Sequence, residues 1–114
     1  MSHLSYKDLI VWQRSITLAS ITYDICRQLP RSEDFALTSQ MQRAVVSIAS
    51  NIAEGQERNS TKEFQQFLAI ARGSAAELET QLTIVEKVYN INTSTARQET
   101  IELRKMIKSL SKQL

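Results

Sequence analysis

The sequence predicts an all-α, antiparallel up-down-up-down four-helix bundle that takes up residues 1–114 as a single domain. Three observations predict it. The chain has only two Gly and one Pro, too little turn material for a β fold. From Phe64 to Tyr89 apolar side chains recur at alternating spacings of four and three, the mark of a helix facing a bundle core. Three short breaks then cut the chain into four helical stretches, at about 5–28, 33–57, 60–90 and 95–112.

The breaks follow from local chemistry. Pro30 pushes Leu29 out of the helical region, and Ser32 offers a cap for the next helix with Glu33 and Asp34 at its positive end. In "GQERNS", Gly55 and Asn59 suit left-handed backbone, and Ser60 with Glu63 spells a capping box. In "NINTST", Thr95 and Gln98 offer a third cap. Short links make neighbouring helices antiparallel.

The third helix carries Phe64, Leu68, Ala71, Ala75, Leu78, Leu82, Val85 and Tyr89 as its core seam. The second supplies Leu37, Met41, Ala44, Ile48 and Ile52, and the fourth Ala96, Leu103, Ile107, Leu110 and Leu114. The first helix has two apolar stripes. Leu9, Trp12, Ile16, Ala19, Tyr23 and Cys26 form one; Leu4, Val11, Leu18 and Ile25 form another about 120° away. Two readings stand: deeper burial between two neighbours, or a core stripe plus a subunit interface through Val11, Leu18 and Ile25. A second seam on the third helix, including Phe67, Ile70, Ser74, Glu77, Gln81, Ile84 and Val88, is apolar at its ends and polar in its middle. A subunit interface with a polar, register-setting centre accounts for both, with Phe67, Gln81 and Ile84 among its candidates.

Little points to catalysis. The one His, His3, lies at the terminus, and no His, Cys or carboxylate spacing suits a metal or activates a nucleophile. The expectation is no enzyme, no metal and no cofactor. No apolar run approaches the roughly 20 residues of a membrane span, and the single Cys26 fits a reducing cytoplasm. The formal charge of +2 permits nucleic-acid contact without arguing for it. Arg97, Arg104, Lys105, Lys108 and Lys112 are the candidate nucleic-acid contacts, since an oligomer would gather them into a cationic belt; ordinary surface charge is the other reading.

Asn51, Glu54 and Arg58 share one face at the end of the second helix. With Arg72, Gly73, Ser74 and Glu77 from the third they form a candidate corner. Glu54 pairs with Arg58 or Arg72, Asn51 meets freed backbone groups, and Gly55 admits a close approach. At Gly73 a facing helix or a second subunit is expected to come near. The alternative is a partner-binding site at these positions.

"VWQRS" and the long block from "EDFALTSQM" through "SIASNIAEGQERNS" to "ARGSAAELETQL" resemble the bacterial 23S rRNA-intervening-sequence proteins, over about Tyr6 to Val88. Ala36 and Ala49 stand where that family usually has Gly and often Pro. The resemblance implies a small cytoplasmic bundle assembling as a homopentamer, and it marks the corner residues as signature positions. A related branch, the accessory variability determinants of diversity-generating retroelements, binds RNA and a reverse transcriptase. The resemblance therefore implies RNA, or an RNA-handling protein, as a partner; a protein-only scaffold is the alternative.

Overall fold

The structure, a computed structural model, describes residues 5–114 and contains four α-helices among them: α1 (Ile10–Cys26), α2 (Leu37–Gln56), α3 (Thr61–Tyr89) and α4 (Ser94–Gln113). His3 and Leu4 lie outside the described residues. At about 1.5 Å per residue α3 alone runs nearly the length of the 49 Å rod. Early α3 meets late α4, Gln65 Nε2 donating to the Ser111 carbonyl at 2.9 Å, while late α3 meets early α4 through Glu86 and Arg97. That pair is antiparallel. So are α2 and α3, where Ser47 meets Ser74 and Gly55 meets Phe64.

The core is the expected seam of α3 with Met41, Ile48 and Ile52 of α2 and Ala96, Leu103 and Ile107 of α4. Tyr89 and Leu110 are half-buried at its ends, and Leu114 is exposed.

On α1 the expectation is corrected. Val11, Leu18 and Ile25 are buried inside the subunit, Leu18 to 1% exposure, and cannot form a subunit interface. The other stripe is the outer one: Leu9, Trp12, Ala19 and Tyr23 are half-buried and Ile16 is exposed. The inward face runs Val11, Ser15, Leu18, Thr22, Ile25, again at spacings of four and three, and two of its members are hydroxyl residues. Ser15 satisfies its hydroxyl on the Trp12 carbonyl at 2.6 Å.

The helix ends also depart from expectation. Ser5 caps a 3-10 turn, Tyr6–Asp8, and extended Leu9 separates it from α1. After Pro30 a second 3-10 turn, Arg31–Glu33, delays α2 to Leu37, so Ser32 is not its cap. Instead Glu33 reaches forward: one carboxylate oxygen accepts from Leu37 N–H at 3.3 Å, and the other accepts from the Tyr89 hydroxyl. That hydrogen bond, with burial adding to it, raises the Tyr89 pKa above its ordinary value. Ser60 does cap α3, accepting from Glu63 N–H at 3.1 Å. Thr93, not Thr95, occupies the cap position of α4. Neither Gly55 nor Asn59 is left-handed; Asn90, which ends α3, is the one described non-Gly residue with positive φ, at 56°.

Candidate nucleic-acid interface and polar cleft

Three constellations emerge where the sequence suggested one corner and one belt. The corner itself is smaller than expected. Glu54 and Arg58, one turn apart, form an exposed ion pair at 2.9 Å. The Arg58 guanidinium also lies 4.8 Å from the Phe67 ring centroid, so Phe67 is half-buried beneath a cation of its own subunit. Asn51 does not reach freed backbone groups: its amide donates to the Ser47 carbonyl at 2.8 Å and to Ser47 Oγ at 2.9 Å. Gly55 does admit a close approach, since an added Cβ would lie 2.7 Å from Phe67 Cβ. Arg72, Gly73, Ser74 and Glu77 are not part of this corner; α3 distributes them between two grooves.

The first groove is a polar cleft of about 420 Å³ between α2 and α3, lined by Gln40, Arg43, Ala44, Ser47, Ser74, Glu77 and Gln81. Ser47 and Ser74 hydroxyls meet at its floor, 2.8 Å apart. Gln81 is buried to 8% exposure, yet its Oε1 has no hydrogen-bond partner. Sequence reasoning missed the α2 wall. Gln40, Arg43, Ser47 and Asn51 recur at spacings of three and four, a polar line that faces the polar middle of the second α3 seam.

The second groove, of about 520 Å³, lies between α3 and α4 and is cationic: Arg72, Arg104, Lys105 and Lys108 line it with Ala69 and Gly73. Arg104 is held by Glu79, Nη1 to Oε1 at 2.9 Å. Among the described residues Arg72, Lys105 and Lys108 make no ion pair. Nothing lies within 4 Å of where a Gly73 Cβ would stand, so of the two expected visitors the facing helix of this subunit is excluded. The missing side chain leaves the groove open. Lys112 is exposed on the last turn of α4, outside the groove.

Arg97 lies outside the groove, at the α3–α4 turn, and is engaged within the subunit. It binds both carboxylate oxygens of Glu86 at 3.0 Å and donates through Nε to Thr93 Oγ1 at 3.0 Å. Thr93 in turn donates its hydroxyl to the Leu82 carbonyl at 3.1 Å and its N–H to Glu86 at 3.1 Å. This clasp closes the α3–α4 turn. The Thr93 N–H first, then Arg97, hold the Glu86 carboxyl below its ordinary value of 4.5. A depressed carboxyl stabilises the fold above its unfolded-state pKa, and that contribution is lost as pH falls through the folded value. Thermal midpoints should therefore drop more steeply below pH 4.5 in the wild type than in Glu86→Gln. Equal acid slopes for the two proteins would mean that the clasp contributes nothing to folding.

Cys26 is buried, and burial pushes its thiol up to about 11. Among the described residues no three His, Cys, Asp or Glu side chains gather as a metal site. No helix among them is long and apolar enough to cross a membrane.

The model of the 23S rRNA-intervening sequence protein family matches residues 7–113. Among solved structures, the chain is similar to a protein of unknown function from the S23 ribosomal protein family of Bacteroides thetaiotaomicron VPI-5482, with 23% identity and a TM-score of 0.82. The alignment covers 90% of this chain and 99% of that one, and at such identity it speaks for the fold. No curated protein matches the chain.

Proposed function

The chain belongs to the 23S rRNA-intervening sequence protein family, and from that premise we propose a non-enzymatic, homo-oligomeric four-helix protein that associates with nucleic acid, structured RNA above all. The observation that carries this reading is the α3–α4 groove. Arg72, Lys105 and Lys108 converge there from two helices without internal carboxylate partners. Unneutralised cations around an open floor suit a phosphate backbone, whose binding releases counterions. An RNA-handling protein with an acidic surface is a second partner of the same charge logic. The single free thiol fits a cytoplasmic setting.

Oligomerisation strengthens the case. A groove with three free cations is weak alone, but repeated around an assembly, five-fold as the resemblance implies, it contacts several phosphates at once. The protein-only scaffold is favoured by a different observation: Arg97 and Arg104, two of the five expected contacts, are paired within the subunit.

The two readings separate in a salt titration of RNA affinity. On the nucleic-acid reading, log affinity falls linearly with log salt. Arg72→Gln/Lys105→Gln/Lys108→Gln should flatten that slope by about 2–3 units per groove engaged, since each phosphate contributes about 0.7–0.9. It should weaken all sequences alike and leave the thermal midpoint nearly unchanged. Equal binding by wild type and triple variant at about 0.15 M salt would leave the scaffold reading standing.

A further inference from the structure

The α2–α3 cleft holds hydrogen-bonding capacity that its own subunit leaves unused. Gln81 forms part of the wall, and its buried amide carbonyl has no donor. Seven residues earlier on α3, about 10 Å along the helix, Ser74 is 6% exposed and its hydroxyl meets that of Ser47. Ser47 Oγ in turn accepts from the Asn51 amide. The two hydroxyls share one hydrogen bond, so whichever donates, the other keeps a proton without an acceptor among the described residues. The α3 wall therefore carries a spare donor at one end and a spare acceptor at the other.

The charges between these ends narrow the choice of occupant. Arg43 on α2 and Glu77 on α3 line the cleft, and among the described residues neither makes an ion pair. One cation and one carboxylate leave the lining neutral, which disfavours a polyanion. No aromatic ring lines it, so an unstacked base finds no platform. Its volume of about 420 Å³ lies within the range of small-molecule sites. The fitting ligand carries both charges itself. Its carboxylate meets the Arg43 guanidinium and the spare hydroxyl proton, its ammonium meets Glu77, and a further N–H reaches Gln81.

We propose that the α2–α3 cleft binds a free α-amino acid with an amide side chain, its zwitterion held by Arg43 and Glu77 and its side-chain N–H donated to Gln81. An amide is selected because a carboxylate would set two acceptors against each other at Gln81, while an aliphatic side chain would leave that carbonyl unmet. The site is separate from the cationic groove and does not depend on the nucleic-acid reading.

Isothermal titration calorimetry with L-glutamine, L-glutamate and L-leucine tests it, with circular dichroism as the check on folding. L-Glutamine should bind at one site per chain, and the other two at least about tenfold more weakly. Arg43→Gln and Glu77→Gln change exposed side chains. Both should keep native helicity, and each should weaken L-glutamine at least about tenfold. Gln81→Leu should erase the preference for glutamine over leucine, a change that lost packing alone would not produce. The Arg72→Gln/Lys105→Gln/Lys108→Gln variant should bind L-glutamine as the wild type does, whatever happens to its RNA affinity. A wild type that binds none of the three amino acids overturns the proposal. So does equal affinity for all three, or binding that survives both Arg43→Gln and Glu77→Gln. A wild type that ignores L-glutamine but loses RNA affinity on Glu77→Gln overturns it too, and assigns the cleft to RNA.

Discussion

Replacing Leu18 with Glu is expected to abolish the folded state. Leu18 is 1% exposed, at the centre of the face that α1 turns inward. The substitution forfeits about 1.5–3 kcal/mol of apolar burial. It also places a carboxylate inside the apolar core, which costs several kcal/mol more. A domain of this size has a total stability on the order of 5–15 kcal/mol, so the loss takes most or all of it. Far-UV circular dichroism should show a chain without native helicity at room temperature, and Leu18→Met should retain it at a cost under about 1.5 kcal/mol. Ile25→Glu should behave in the same way. A Leu18→Glu protein with native helicity and merely a lower mass would instead put this stripe on a subunit boundary.

The two glycines should respond to substitution with opposite signs. Gly55 lies inside α2, and an added Cβ would sit 2.7 Å from Phe67 Cβ and 2.9 Å from Phe64 Cδ1. Phe67 Cβ is anchored directly to the backbone of α3, so relief requires the two helices to part. Gly55→Val should therefore lose about 3 kcal/mol or more, the upper end for overpacking, and outweigh any gain in helix propensity. Gly73 lies inside α3 with open space where its side chain would be. Gly73→Ala should gain about 0.5–1 kcal/mol, because Ala loses less backbone freedom in a helix. Urea unfolding of both variants against wild type measures the difference. Destabilisation by Gly73→Ala would mean that something outside the subunit packs on that position.

The number of helices, the places where the chain breaks between them and the inward faces of α2, α3 and α4 are all legible in local spacing, though the exact helix ends are not. Each of those helices has one seam more apolar than any other it carries, and burying that seam leaves only one low-energy rotation about the helix axis. Sequence could not decide the rotation of α1. Both of its stripes are apolar, and the one that wins contains Ser15 and Thr22, which a hydrophobic pattern discards. The tertiary structure buries both fully, Ser15 returning its proton donor to the helix backbone and Thr22 left without a hydrogen-bond partner. The same limit governs the candidate sites. Glu54 with Arg58 was legible because one turn of one helix brings them together. Arg97 with Glu86, Arg104 with Glu79, and the junction of Arg72 with Lys105 and Lys108 depend on the register between α3 and α4. So does the facing of Ser47 on Ser74, which builds the cleft around Gln81. Local spacing encodes which side of a helix a residue occupies; only packing decides which residue of the next helix stands opposite it.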